Sequence, residues 1–277
     1  MRIKIVITLL IMSTCVAFSQ AEIDLNKTGI KYAELGQYEK ALHYFSKAIE
    51  LNPNYANGYA NRGNVYRVQK KLDKAIVEYS KAIELDNTKI QVLYARANTY
   101  KDLDNLALAI IDYSKIIALD NSFKDIYFAR AYAYLMLEDY KKAKVDLEKQ
   151  LQISPNDLKS EGNLIHIKTK LGLYDEALTD YDITINKYPT EYTMYNNRAE
   201  LFIKMNKLEL ALADANKAIS LKSNYATGYL TRAKIFFMMG KKEQSCDDLN
   251  NSIQSGFYSN DKDEKIDFEN LKKECDK

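Results

Sequence analysis

The sequence predicts an all-α fold, a solenoid of helix–turn–helix repeats, on three observations. A small residue and a large aliphatic residue each recur every 34 positions: Ala41, Ala75, Ala109, Ala143, Ala177, Ala211 and Ser245, then Ile49, Ile83, Ile117, Leu151, Ile185, Ile219 and Ile253. Self-similarity at a period of this size marks stacked supersecondary units. Between the columns the spacing is helical, as in Tyr59, Arg62, Gly63 and Tyr66 at i, i+3, i+4 and i+7. Finally, 277 residues hold only 9 Gly and 3 Pro, too few for a turn-rich sandwich or barrel or a glycine-looped nucleotide fold. With 47% hydrophobic and 28% charged residues the chain can bury a core.

At the N-terminus, Arg2 and Lys4 precede an apolar run from Ile5 to Ile11 that weakens towards Phe18, with the small residues Ala17 and Ser19 two apart. This predicts a secretory signal peptide over 1–19, cleaved after Ser19, and hence a periplasmic or secreted protein. The run is short for a membrane span of about 20 residues. An uncleaved anchor, or a lipid on Cys15, is the alternative, although Met12-Ser13-Thr14 fits a lipobox poorly. Arg2 and Lys4 account for the formal net charge of +2, so the chain from Gln20 onward is formally neutral. It has no basic stripe of the kind that binds nucleic-acid phosphates.

Repeats fill the array at 20–259, as seven units: 22–55, 56–89, 90–123, 124–157, 158–191, 192–225 and 226–259. Each reads as two helices. Gly36, Lys70, Asp104, Glu138, Gly172, Asn206 and Gly240 fall at the turn between them, where Gly, Asn and Asp suit the left-handed conformation that ends a helix. Second helices repeat small and large residues, as in Ala75, Tyr79, Ala82 and Ile83, and Pro53, Pro155 and Pro189 share a column just after them. Proline lacks the N–H to continue a helix and marks the unit boundary. Past Ser259 the period stops. Residues 260–277, with Ile266, Phe268, Leu271 and Cys275 as apolar positions, are expected to form a C-terminal capping helix over the open end of the array.

Seven units with these columns resemble the tetratricopeptide repeat (TPR) family. Where the family often has Trp, this chain has Leu25, Tyr59, Leu93, Tyr127, Glu161, Tyr195 and Tyr229. The fifth unit departs most, with Glu161 for a large residue and Ile165 for a small one. The resemblance implies a right-handed superhelix whose inner groove holds a peptide or partner domain. Cys246-Asp247-Asp248-Leu249 followed by Cys275 looks like the terminal unit of exported bacterial members. An even cysteine count in an exported chain is compatible with one Cys246–Cys275 disulfide; the other reading is two buried thiols.

A second pattern pairs charges. Arg62, Arg96, Arg130, Arg198 and Arg232 share a first-helix column, and Glu78, Asp112, Asp146, Asp180, Asp214 and Asp248 a second-helix column. All five arginines have an acid in their own unit, and the first unit has Thr28 and Tyr44 instead. The expectation is a structural bridge across the two helices of one unit, which sets helix register more than it adds stability.

Catalytic and cofactor chemistry is not expected. His43 and His166 lie in different units with no acid or cysteine cluster at ligand spacing, so no metal is expected. No glycine-rich phosphate loop, nucleophile elbow or HExxH motif occurs. The leading expectation is a non-enzymatic scaffold binding a protein or peptide in the concave groove; the alternative is a structural subunit of an envelope or secretion assembly. The chaperone-tail clamp of some TPR domains is not expected, because its positions in the first three units hold Asn26 and Ile30, then Asn61, then Gln91 and Ala95, of which only Asn61 fits. The resemblance places the groove on the first-helix stripe Asn57, Ala60, Asn61, Asn64, Val68 and its repeats. Tyr94, Phe128, Tyr132 and Met136 would form an apolar patch there, flanked by Asn64 and Asn98. Aromatics and Met anchor partners, and Asn can hydrogen-bond an extended backbone. The competing reading is that these aromatics only fill gaps between neighbouring first helices.

Overall fold

The computed structural model describes residues 20–257 and 262–276; the expected signal segment, 1–19, lies outside the described residues. Among the described residues all regular structure is α-helical, in fifteen helices. They fall into two compact blocks, the first ending at Pro155 and the second beginning at Asn156. The first contains α1 (20–34), α2 (Tyr38–Leu51), α3 (Ala56–Val68), α4 (Leu72–Leu85), α5 (Ile90–Asp102), α6 (Leu106–Leu119), α7 (Ile126–Met136) and α8 (Tyr140–Ile153). The second contains α9 (Leu158–Lys170), α10 (Tyr174–Lys187), α11 (Tyr192–Lys204), α12 (Leu208–Leu221), α13 (Ala226–Met238), α14 (Lys242–Gln254) and α15 (Lys262–Cys275). Within a block successive helices pack on one another, from α2 to α8 and from α9 to α15, and first helices also meet, α3 with α5 and α11 with α13. Each block is a solenoid of helical pairs.

The turn inside each pair follows from one backbone device. Lys70, Asp104, Glu138 and Asn206 have φ of 59°, 61°, 57° and 55°, and Gly36, Gly172 and Gly240 have φ of 70°, 75° and 74°. The next residue's N–H donates to the carbonyl five back, as in Lys71 to Tyr66 at 2.9 Å and Lys241 to Phe236 at 2.8 Å. That is the left-handed C-terminal cap that satisfies orphan carbonyls. A further left-handed residue, Asp125 (φ 57°), was not foreseen. It immediately precedes α7 without a side-chain capping bond, and its carboxylate accepts a hydrogen bond from Gln150 at 3.1 Å. Asp125 therefore stands outside the helix, not on its groove stripe.

The small column is the crossing point of each pair. Ala41, Ala75, Ala109, Ala143, Ala177 and Ala211 are wholly buried and Ser245 nearly so. Where the opposing column holds Gly, a large ring fills the space: a Cβ on Gly63 would lie 2.8 Å from the Tyr79 ring, and one on Gly29 2.6 Å from Phe45. The large aliphatic column joins neighbouring units. Ile49 and Ile219 lie under Gly58 and Gly228 of the following first helices. Ile253, last of its column, is instead 47% exposed, because the repeat ends there and α15 packs elsewhere.

Helix α15 lies on α13 and α14. Leu271 is buried with Leu230, Ala233 and Leu249, and Phe268 stacks on Phe257 with centroids 5.1 Å apart. Ile266, expected among the packed positions, is 48% exposed; five residues before Leu271, it lies about 140° round the helix. Cys246 and Cys275 are bonded, with Cα atoms 5.5 Å apart, and tie α14 to the end of α15.

Candidate partner-binding surface

The first helices are held in place by the arginine column. Arg96 Nε and Nη2 donate to the two carboxylate oxygens of Asp112 at 2.8 and 2.7 Å. Arg130 grips Asp146 at 2.7 and 2.7 Å, Arg198 grips Asp214 at 2.7 and 2.8 Å, and Arg232 grips Asp248 at 2.6 and 2.7 Å. Arg62 meets Glu78 by a single contact of 2.9 Å. The four aspartates are buried. Hydrogen bonds donated to their acids hold the guanidiniums of Arg130, Arg198 and Arg232 above their ordinary range. At Arg96 burial works against the charge and Asp112 outweighs it.

Each arginine has a third partner that the charge columns did not reveal. Its Nη1 reaches sixteen residues back, to the second helix of the preceding unit: Arg62 to Ser46 (3.0 Å), Arg96 to Ser80 (3.0 Å), Arg130 to Ser114 (2.9 Å), Arg198 to Asp182 (2.5 Å) and Arg232 to Asn216 (2.8 Å). The arginine thus staples three helices. A uniformly polar column (Ser46, Ser80, Ser114, Glu148, Asp182, Asn216) was the signal for it in the sequence. In the fifth unit the arginine column holds Leu164, and Asp180 takes Lys168 at 2.5 Å.

The expected stripe in the first block divides into packed and exposed residues. Tyr94 packs inward, with its ring centroid 5.3 Å from Phe123 and 6.1 Å from Tyr113. Phe128 is half-buried. Tyr132 and Met136 are 41% and 54% exposed, one turn apart on α7, with Lys101 Nζ 5.9 Å from the Tyr132 ring. Asn64 and Asn98 are oriented from below: Asn64 Oδ1 accepts from Tyr79 Oη at 2.7 Å and Asn98 Oδ1 from Tyr113 Oη at 3.0 Å. Burial pushes both phenols up, so they stay protonated donors. The Asn98 amide donates to the Tyr94 carbonyl at 3.0 Å, whereas the exposed Asn64 presents its amide at a cleft of about 250 Å³. Ile30, Tyr38, Phe45, Val65 and Val68 help to line that cleft. Asn61, the one residue of the first three units that matches the chaperone-tail clamp, donates to Asn26 at 2.9 Å.

In the second block the equivalent column is closed by charge. Glu200 accepts from Thr231 (2.9 Å) and from Lys234 through both oxygens (3.0 and 2.9 Å), and Asp267 of α15 lies 2.9 Å from the same ammonium. Burial alone would lower the Lys234 pKa, but Glu200 and Asp267 together raise it. Among the described residues no cluster of three or more His, Cys, Asp or Glu could hold a metal. No described helix is long and apolar enough to cross a membrane.

Two family models match the chain. One, described as a TPR repeat, matches residues 29–67 and 63–104; the other, described as a tetratricopeptide repeat, matches 90–123, 124–157 and 192–225. An uncharacterized protein of Methanocaldococcus jannaschii is 45% identical over 42 residues, 15% of this chain and 49% of that protein, so the chain spans about half the length of this relative. Among solved structures, a tetratricopeptide repeat protein from Parabacteroides merdae has a TM-score of 0.70 at 23% identity, covering 92% of this chain and 99% of that one. YrrB, described as a TPR protein with an unusual peptide-binding site, has a TM-score of 0.56 at 24% identity, covering 66% of this chain and 95% of that one. At these identities the two structures speak for the fold. The repeat models together cover more than half of the sequence on helical pairs of the matching architecture, and the chain belongs to the tetratricopeptide repeat family, whose members mediate protein–protein or peptide interactions.

Proposed function

We propose that the protein is a non-enzymatic scaffold that binds a peptide or partner protein through the first helices of its first block. The observation that carries this is the exposure of Tyr132 on α7, with Met136 exposed one turn on, while two equivalents of Tyr132 in the second block, Glu200 and Lys234, are consumed by an internal ion pair. Exposed aromatic and thioether side chains are adaptable anchors, and the oriented Asn64 offers an amide for an extended backbone. The peptide-binding site named for YrrB is in keeping with this reading. We place the protein outside the cytoplasm: the Cys246–Cys275 bond suits an oxidising compartment, and Arg2, Lys4 and the run from Ile5 to Ile11 suit a signal segment.

Capture of envelope proteins on tagged residues 20–277, identified by mass spectrometry, tests the proposal with variants. Tyr132→Ala and Met136→Ala should abolish capture and leave the melting temperature unchanged. If Phe128→Ala and Tyr132→Ala instead preserve capture and lower the melting temperature, the stripe is packing.

One observation favours the second reading, a subunit held by its outer face. Val77, Ile111 and Val145 repeat at 34-residue steps on α4, α6 and α8 and are 66%, 61% and 64% exposed. Exposed apolar residues that recur at one position of successive units are candidates for an interaction surface. Under that reading Ile111→Asp abolishes capture and Tyr132→Ala does not.

A further inference from the structure

The groove stripe begins in the first unit with two residues that the aromatic patch leaves aside. Ile30 and Glu34 lie one helical turn apart on α1, 34 residues before Asn64 and Val68 of α3. All four border the cleft of about 250 Å³ between α1, α2 and α3, within the first block. The buried part of its lining is apolar: Phe45 is 1% and Val65 3% exposed. A cavity of about 150 Å³ lined by such side chains holds a benzene ring, whereas pockets for free small molecules start at about 300 Å³. The cleft therefore suits one large apolar side chain of a longer chain.

Two polar groups of fixed sense line the same cleft. Asn64 Oδ1 is taken by Tyr79 Oη at 2.7 Å, which leaves the Asn64 amide to donate. The Asn61 amide is taken by Asn26 at 2.9 Å, which leaves Asn61 Oδ1 to accept. At i and i+3 on one helix their Cβ atoms are about 5–6 Å apart, a spacing that suits a carbonyl and an N–H of one extended chain. Glu34 is the one charged residue of the lining. It is exposed, and no hydrogen bond or ion pair among the described residues engages its carboxylate. The cation nearby in sequence, Arg67, is turned to the Tyr79 phenol instead. We infer that this cleft reads the partner's sequence: it takes one large apolar side chain, holds the adjoining backbone through Asn61 and Asn64, and pairs Glu34 with a lysine or arginine beside that side chain. The inference rests on the reading that the first helices of this block bind an extended partner chain, and it adds the residues such a chain must carry. An acidic segment would meet Glu34 with like charge and find no cation in the lining.

Selection of a phage-displayed library of random peptides on the full-length protein tests this, with the enriched sequences then titrated as synthetic peptides. They should share a large apolar residue next to, or one residue removed from, a lysine or arginine, and alanine in place of the apolar residue should abolish binding. Glu34→Lys changes an exposed side chain and should leave the melting temperature unchanged. It should weaken these peptides at least about fivefold, because an exposed ion pair becomes a repulsion, and glutamate in place of the peptide's basic residue should restore the loss. Enriched peptides that lack the apolar–basic pair, or that Glu34→Lys binds as tightly as the wild type does, overturn the inference. If such peptides are still lost in Tyr132→Ala, the scaffold reading stands and only the role of the cleft falls. If no peptide is enriched that either variant weakens, the inference is overturned and the scaffold reading with it.

Discussion

Arg96 and Asp112 meet through two parallel hydrogen bonds, Nε to Oδ2 at 2.8 Å and Nη2 to Oδ1 at 2.7 Å. The planar guanidinium matches a carboxylate in this geometry. Asp112 is 2% exposed, so removing its partner leaves a buried carboxylate uncompensated. Arg96→Ala should lower unfolding free energy by about 2–3 kcal/mol, read from the denaturant midpoint, the fully buried cost being reduced by the partial exposure of the pair. A variant that melts like the wild type would make the bridge a surface feature.

Arg62 and Glu78 show what the extra methylene does. Their bridge is single, and Arg62 Nε and Glu78 Oε2 are buried without a hydrogen-bond partner. Glu78→Asp brings the acid to the length used in the other bridged units and should allow the second bond. The expected gain is about 0.5–1 kcal/mol, the net value of one hydrogen bond. A lower midpoint would show that side-chain length is not what prevents the fork.

Gly63 and Gly172 should both resist alanine, for different reasons. At Gly63 a Cβ falls 2.8 Å from the ring of Tyr79, itself wholly buried. Overpacking should cost about 1–3 kcal/mol, more than the roughly 1 kcal/mol that alanine contributes in a helix. At Gly172 nothing lies within 4 Å, but φ is +75°, so the cost is backbone strain of about 1 kcal/mol. Thermal melts of the two variants should rank Gly63→Ala as the more damaged.

Alkaline pH should destabilise the fold through its buried tyrosines. Burial raises the pKa of Tyr79, Tyr113, Tyr181 and Tyr225. In the unfolded chain these phenols ionise near 10. Above about pH 10 the unfolded state therefore loses protons that the folded state keeps, and stability falls as pH rises. Urea midpoints measured from pH 9 to 11 should decline, and ultraviolet titration should show these tyrosines ionising after the rest. Tyr113→Phe should make the decline shallower.

Reduction should loosen the C-terminal cap first. The Cys246–Cys275 bond closes a loop with a sequence separation of 29, for which chain entropy gives roughly 3.5 kcal/mol. Cys275→Ser, or dithiothreitol, should speed amide exchange in α15 before that in α12 or α13. Quantitative thiol labelling of the native protein without reductant would refute the bond.

What the sequence determined by itself is whatever repeats. The 34-residue columns, the turn residues and the pairing of Arg96 with Asp112 are legible because every unit poses the same local problem and solves it with the same residue type. A left-handed turn residue is needed after each first helix, so Lys70 and Glu138 could be placed at that turn despite their bulk. The packing face of a helix follows from its 3.6-residue period. Tertiary structure decided the matters that depend on which helix comes next in space. Ser46 and Ser80 are ordinary polar residues until an arginine of the following unit reaches them. Tyr94 and Tyr132 share the stripe by spacing, but Phe123 and Tyr113 draw the first inward while the second stays exposed. Ile253 and Ile266 are apolar in pattern and exposed in fact, because the repeat ends and α15 presents Leu271 and Phe268 to the core. Periodicity encodes the contacts of a unit with copies of itself; at the ends the neighbour is no longer implied by the pattern.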